Sequence, residues 1–213
     1  MNTRTLLWLV PSFLYAAFFV WYTDFGGPLT TAEIDTYVER LRANGASEAR
    51  VDAVRRFMEA DDGGQFVMAN YLDMADTPPR VDGAPADADA DDLMALYMEH
   101  MYPALFARAC HPVFVGDAVF DALDVSGIAG AQSWSRAALM RYRSRRTMME
   151  ISTDPAFAGR HEFKLAALDK TIAFPVSPLL NPGDARLLLA LVLLVAVLGA
   201  DLLLFRRGAH RMR

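Results

Sequence analysis

The chain has 213 residues, of which 54% are hydrophobic, and a formal charge of −5. The charge is uneven: residues 24–184 carry 15 Lys/Arg against 25 Asp/Glu, whereas the tail beyond Phe205 has four Arg and no acid. An acidic middle with basic ends is not laid out to hold nucleic acid, whose phosphates need clustered Lys and Arg, and the single Cys110 excludes an intrachain disulfide.

The hydrophobic surplus collects at the two ends. Leu6–Tyr22 runs without a charge, with Trp8 near one end and Trp21 and Tyr22 at the other. At 1.5 Å per residue it covers about 25 Å, slightly short of a hydrocarbon core near 30 Å, and the flanking aromatics suit the interfaces. It ends in Trp-Tyr-Thr-Asp-Phe rather than the small residues of a cleavage site. An uncleaved transmembrane anchor over residues 1–25 is therefore expected.

Residues 26–64 follow as a two-helix membrane-proximal segment. Thr30 and Glu33 have capping-box spacing, and the helix they open places Ile34, Val38 and Leu41 on one side before Gly45. Ser47 starts a second helix, which Gly63-Gly64 stops. The pair reads as a stalk or lid.

From residue 65 to 178 strands and helices alternate. Gln65–Leu72 reads as a strand with apolar residues on both faces. Residues 73–91, rich in Asp, Pro, Gly and Ala without periodicity, read as a mobile loop. The alternating Asp87, Asp89 and Asp91 lack the Gly and Glu that a calcium loop requires. Asp91–Ala109 is a long helix whose Met94, Met98, Met101 and Leu105 share one face. Such a stripe is a core-facing set of adaptable side chains, since one nearby His100 is too few for a copper site. Pro103 is expected to kink this helix.

His111–Val119 and Ser133–Arg143 read as the second and third strands. Ser144 caps a short helix to Ser152. Asp154-Pro155 has the signature of a further helix start, with Phe157, Phe163, Leu165 and Leu168 for packing. Thr171–Val176 is the last strand. The order β-α-β-β-α-β is the ferredoxin-like plan, so the fold class expected is α+β. A sheet with one watered face should alternate cleanly, yet all four strands carry apolar residues on both faces. The second face needs a cover, either the membrane-proximal helices or a second subunit, and a homodimer with two sheets face to face is expected.

Leu187–Phe205 is the stronger transmembrane candidate, within a helix over residues 185–206. Asp201 alone interrupts it, about 6 Å from its end, close enough to snorkel toward Arg206 and Arg207. Residues 207–213 form a basic tail. With Arg4 before the first span and four Arg after the second, both termini belong in the cytoplasm and the middle outside it. In a bacterium the protein is then an integral inner-membrane protein with a periplasmic domain, and the lipid bilayer is its first partner.

Several stretches resemble a known family. Phe66–Leu72, Tyr97–Val119 and Trp134–Leu168 look like the domain-of-unknown-function 1330 family of the dimeric α/β-barrel superfamily. The carrying motifs are Arg141-Tyr142-x-Ser144-Arg145, Asp154-Pro155, and the Lys-x-Ala-Ala-Leu of residues 164–168. Where relatives tend to have His-Arg before Ala-Ala-Leu, this chain has Phe163-Lys164. The resemblance implies a dimeric barrel. Sibling families include cofactor-independent quinol or polyketide monooxygenases, haem-degrading enzymes and chlorite-dismutase-like haem proteins. The resembled family has no established general reaction.

A pocket between helices and sheet, or inside the barrel, would draw on Asn70, Tyr71, Tyr97, His100, Trp134, Arg141, Tyr142 and Lys164. Arg141 could hold an anionic group, and His100 or Tyr142 could relay protons. No Ser-His-Asp set, metal cluster or phosphate-cradling loop is discernible, and with four His in all haem ligation has little support. No cofactor and no metal are expected. The favoured reading is a ligand-binding or interaction module without chemistry, taking a small hydrophobic ligand. The alternative is a small cofactor-independent oxygenase or isomerase-like enzyme acting on a hydrophobic or quinone-like substrate. A closed cavity of roughly 300 Å³ or more would favour the enzyme.

Overall fold

A computed structural model describes residues 2–157 and 159–205. Two compact units form, residues 2–23 with 179–205, and residues 24–178.

The first unit is a pair of helices, α1 (Thr3–Tyr22) and α7 (Ala185–Phe205). Both are long and apolar enough to cross a membrane. Asn2 caps α1, its side chain accepting from the Arg4 amide at 3.1 Å. Pro11 lies inside α1, and the Ser12 hydroxyl donates to the Trp8 carbonyl at 2.8 Å, the kind of local partner that lets an apolar helix carry a proline. The helices run antiparallel, because contacts join opposite ends. Arg4 donates twice to the Asp201 carboxylate, at 2.8 and 2.9 Å. At the other end Arg186 reaches the Thr23 hydroxyl at 3.3 Å, its guanidinium 5.5 Å from the Tyr22 ring. Asp201 thus has a partner on the other helix; Arg206 and Arg207, toward which it was expected to turn, lie outside the described residues.

The second unit is mixed α+β around a four-stranded antiparallel sheet. Its elements are α2 (Thr31–Ala43), α3 (Glu48–Glu59), β1 (Phe66–Met74), α4 (Ala90–Ala107), β2 (His111–Asp117), β3 (Arg136–Tyr142), α5 (Arg145–Ser152), α6 (His161–Ala166) and β4 (Leu168–Val176). The strands lie in the order β2-β3-β1-β4, with Met68 opposite Met140 and Ala69 opposite Phe174. Because side chains alternate along a strand, Phe66, Met68, Asn70 and Leu72 share a face with Ala138, Met140 and Tyr142. Val67, Ala69 and Tyr71 take the other face with Leu139, Arg141, Ile172 and Phe174. A shift in register between Pro112 and Phe114 leaves Val113 as an extra residue on edge strand β2.

Several local signals behave as the residue chemistry dictates. The Thr30–Glu33 capping box forms at the start of α2, Ser47 caps α3, and Ser144 caps α5. Gly45, just beyond α2, has φ +79°, the left-handed turn that glycine accepts at a helix end. α4 has its own capping box, Asp89 with Asp92, and continues through Pro103 to Ala107. The helix expected from Asp154 is broken in two. A 3₁₀ turn at Pro155–Phe157 is followed by Gly159 at φ +82°, so α6 is a separate six-residue helix.

The helices lie on one face of the sheet. α4 packs on it through Met101 and Leu105, with Cys110 and Ile151 completing that part of the core. Further along α4, Leu93 joins Phe163 and Ala167. Residues 73–91, expected to be mobile, are tied down instead: Val81, Ala84 and Ala88 pack against this second cluster, and the Ala75 amide donates to the Ala167 carbonyl. Apolar residues spaced through an Asp-rich stretch give it an inner edge that composition alone hides.

α2 and α3 pack against each other and onto Met149 of α5. Arg146 of α5 donates to the Glu33 carboxylate at 2.7 Å and to the Gly27 and Pro28 carbonyls, both at 3.2 Å. The Phe57 ring meets Phe66 edge-on at 5.4 Å. These two helices therefore belong to the helical side of the sheet unit, and they leave its other face open.

Candidate functional site

Between the sheet and α4 lies a cleft of about 150 Å³. Its floor is Met68, Asn70 and Leu72 of β1 with Ala138, Met140 and Tyr142 of β3. Its wall is the face of α4 bearing Met94, Tyr97, Met98, Met101 and Leu105. These positions recur at three or four residues, the spacing that puts them on one helical stripe. Lys164 of α6 and Arg136 of β3 also line it. The methionine stripe is thus both core and cleft wall, with Met68 and Met140 facing it across the gap.

Polar groups in the cleft divide into satisfied and unsatisfied. The Asn70 amide donates to the Met68 and Ala138 carbonyls, at 3.0 and 3.1 Å. Arg136 is neutralised, donating to Asp117 at 2.7 Å and Asp91 at 3.1 Å. Lys164 differs. Its ammonium makes no ion pair or hydrogen bond among the described residues and rests 5.9 Å from the centre of the Tyr97 ring. Burial, then the neighbouring Arg50 charge, lowers its pKa below the usual lysine range. No carboxylate offsets the shift, so Lys164 sits in positive surroundings. His161, whose ring meets Tyr97 edge-on at 6.2 Å, is also pushed down, by burial first and then by Lys164 and Arg50. Burial raises the phenols of Tyr97 and Tyr142 above their ordinary range; neutral phenols are hydrogen-bond donors.

Four of the eight residues singled out from sequence meet here: Asn70, Tyr97, Tyr142 and Lys164. Tyr71 and Trp134 lie on the opposite face, their rings 6.2 Å apart, with Phe174 6.3 Å from Tyr71. His100 does not line the cleft; it shares a helical side with Leu96 and Ala104, and its Nδ1 is buried without a hydrogen-bond partner.

Arg141, the proposed anion anchor, is only 1% exposed. It donates to Gln65 Oε1 from Nε at 2.8 Å and from Nη2 at 2.6 Å, and from Nη1 to the Ala109 carbonyl. Ala109 has φ +56°, a left-handed conformation that costs a residue with a Cβ. Arg141 therefore holds the α4–β2 turn against the sheet. Of the cleft residues on β1 and β3, sequence reasoning left Met68, Leu72, Arg136, Ala138 and Met140 out of the site, and it read the α4 stripe of Met94, Met98, Met101 and Leu105 as core alone. The alternation of β1 and β3 carried that information, once their pairing was known.

The open face is a second feature. Tyr71 (39% exposed), Phe114 (53%), Ile172 (41%) and Phe174 (42%) present aromatic and aliphatic surface to water there, beside buried Val67 and Ala69. Asp73 and Lys170 pair at 3.3 Å toward one end of the face.

No protein-family model matches the sequence, and no curated protein does. Solved structures do resemble the chain. The methylated RPA0582 protein aligns with TM-score 0.52 at 19% identity, covering 62% of this chain and 93% of that one. A second structure of RPA0582, a protein of unknown function from Rhodopseudomonas palustris, aligns with TM-score 0.50 at 18% identity, covering 61% and 94%. At3g17210 from Arabidopsis thaliana aligns more loosely, with TM-score 0.34 at 17% identity over 55% and 97%. The RPA0582 likeness concerns the fold alone.

Proposed function

We propose that residues 24–178 form a membrane-tethered, ferredoxin-like module of the dimeric α/β-barrel type that binds a small molecule between α4, α6 and the sheet. The observation that carries this reading is the cleft: apolar and methionine-rich, with the ammonium of Lys164 set over the Tyr97 ring and without an ion pair or hydrogen bond among the described residues. Unpaired charge in a half-apolar setting is costly, and a ligand that offsets the cost gains affinity. The strand order β2-β3-β1-β4 and the fold likeness to the RPA0582 structures support the fold assignment.

Binding is favoured over chemistry on two grounds. The cleft, at about 150 Å³, is half the lower bound of roughly 300 Å³ for a site that encloses a drug-sized molecule. Of the two proton-relay candidates, His100 is not among its lining residues, and Tyr142, which is, has a phenol that burial raises above its ordinary range.

The open face supports a homodimer. Exposed apolar surface of this kind on a sheet marks an interaction site, and α2 and α3, the other candidate cover, pack on α5 instead. The antiparallel pairing of α1 with α7 supports both termini on one side of the membrane. The Arg residues at both ends favour the cytoplasmic side by the positive-inside tendency, which leaves the module in the periplasm of a bacterium.

The test is native mass spectrometry of the full chain released from its membrane in mild detergent. The reading expects a retained organic molecule that is lost from Ala138→Trp, whose indole fills the cleft. A retained molecule unaffected by Ala138→Trp would place binding elsewhere and contradict it.

A further inference from the structure

We infer that the ligand of this cleft is a small monoanion joined to a single ring or an equivalent apolar body, an aryl or short-chain carboxylate being the simplest case. This rests on the binding reading above and specifies it.

Size comes first. A cavity of about 150 Å³ lined by apolar side chains takes a molecule of roughly benzene size. The lining suits such a body, since methionine is polarisable and adapts to irregular shapes.

Charge decides the class. Five methionines line the cleft, and thioethers by themselves would suit Cu(I). A metal cation would have to approach the Lys164 ammonium, which lines the same cleft and has no ion pair among the described residues. The other cation of the cleft, Arg136, is spent on Asp91 and Asp117. Lys164 is thus the cleft cation with no carboxylate paired to it among the described residues, and an anion would complement it. A carboxylate beside Lys164 would form a charge-assisted bond of the strong kind. Tyr97, whose hydroxyl has no partner among the described residues, lies under the same ammonium and offers a second donor. The apolar end of the ligand would lie along Met98, Met140 and Ala138.

Phenylacetate and its neutral analogue phenylacetamide are suitable probes, titrated against the full chain in detergent by calorimetry, with empty micelles as blank. The expected result is that phenylacetate binds the wild type at least tenfold more tightly than phenylacetamide. Lys164→Met should weaken phenylacetate at least tenfold while leaving phenylacetamide unchanged, and Lys164→Arg should restore part of the loss. Lys164→Met should melt no lower than the wild type, because it removes an uncompensated charge, so a loss of binding is not a loss of fold. If both probes bind equally and Ala138→Trp abolishes both, the anionic class is wrong and the binding module stands. If neither probe binds, or binding survives Ala138→Trp, the inference fails together with the reading it rests on.

Discussion

Arg141 separates a structural from a ligand-holding role most sharply. The perturbation is Arg141→Met, which keeps the length of the side chain and removes the guanidinium. At 1% exposure the vacated donors leave Gln65 Oε1 and the Ala109 carbonyl without their arginine partner in a buried setting. Hydrogen bonds to charged groups are worth about 1.5–3 kcal/mol each and do not add fully. The same substitution relieves the burial of a cation, which offsets part of the loss. A net cost of about 3 kcal/mol follows, a large share of a typical 5–15 kcal/mol. For a domain of this size it lowers Tm by about 6–12 °C. Thermal unfolding of the full chain in detergent, followed by circular dichroism, reads it directly. Gln65→Ala, which spares the Ala109 contact, should cost about half as much, and the double variant should fall short of the sum. A Tm within about 2 °C of wild type for Arg141→Met, with ligand binding lost, would refute the structural assignment and return Arg141 to the site.

Other outcomes follow from the same geometry. Ala109→Gly should raise stability by about 0.5–1 kcal/mol, since glycine accepts the left-handed backbone there; a lower Tm would mean that the Ala109 methyl matters more than its φ. Glu33 is held at a pKa of about 2, by Arg146 first and then by the Thr30 amide and hydroxyl. Its folded value lies below its unfolded one, so its contribution is complete above the ordinary carboxyl range and is lost as pH falls toward 2. Hydrogen-exchange protection in α2 and α3, measured against the intrinsic rate at each pH, should fall over that window in the wild type and respond less to pH in Glu33→Gln. Arg4→Leu or Asp201→Leu alone should lower the stability of the α1–α7 pair, because each leaves a charge unpaired near the end of an apolar helix. The double variant should recover at least half of that loss in a detergent melt.

Sequence legibility varied with how local the cause was. Capping boxes, N-caps and the two apolar helices are written in adjacent residues, and Thr30–Glu33, Ser47 and Ser144 could be read without the fold. The four strands were legible from apolar runs, with ends displaced by a few residues. The split at Gly159 was hidden because Asp154-Pro155 is a strong helix start, and its local signal outweighed a single glycine. Which tyrosine faces the cleft depends on register: Tyr71 and Tyr142 look alike in sequence, but pairing puts them on opposite faces. The structural role of Arg141 is not legible in sequence, because the backbone carbonyl and side-chain amide it satisfies come from segments 32 and 76 residues away. That Lys164 has no ion pair among the described residues is likewise a property of packing, not of its neighbours in the chain.

The most direct test concerns the open sheet face and what covers it. Native mass spectrometry of the 23.6 kDa chain in mild detergent, alone and with Phe174→Asp, reads the oligomeric state. The account predicts a particle of two chains for the wild type and a folded monomer for Phe174→Asp, which sets a charge into the pairing surface. A wild-type monomer at micromolar concentration, or a dimer indifferent to Phe174→Asp, would contradict the claim that two sheets meet face to face.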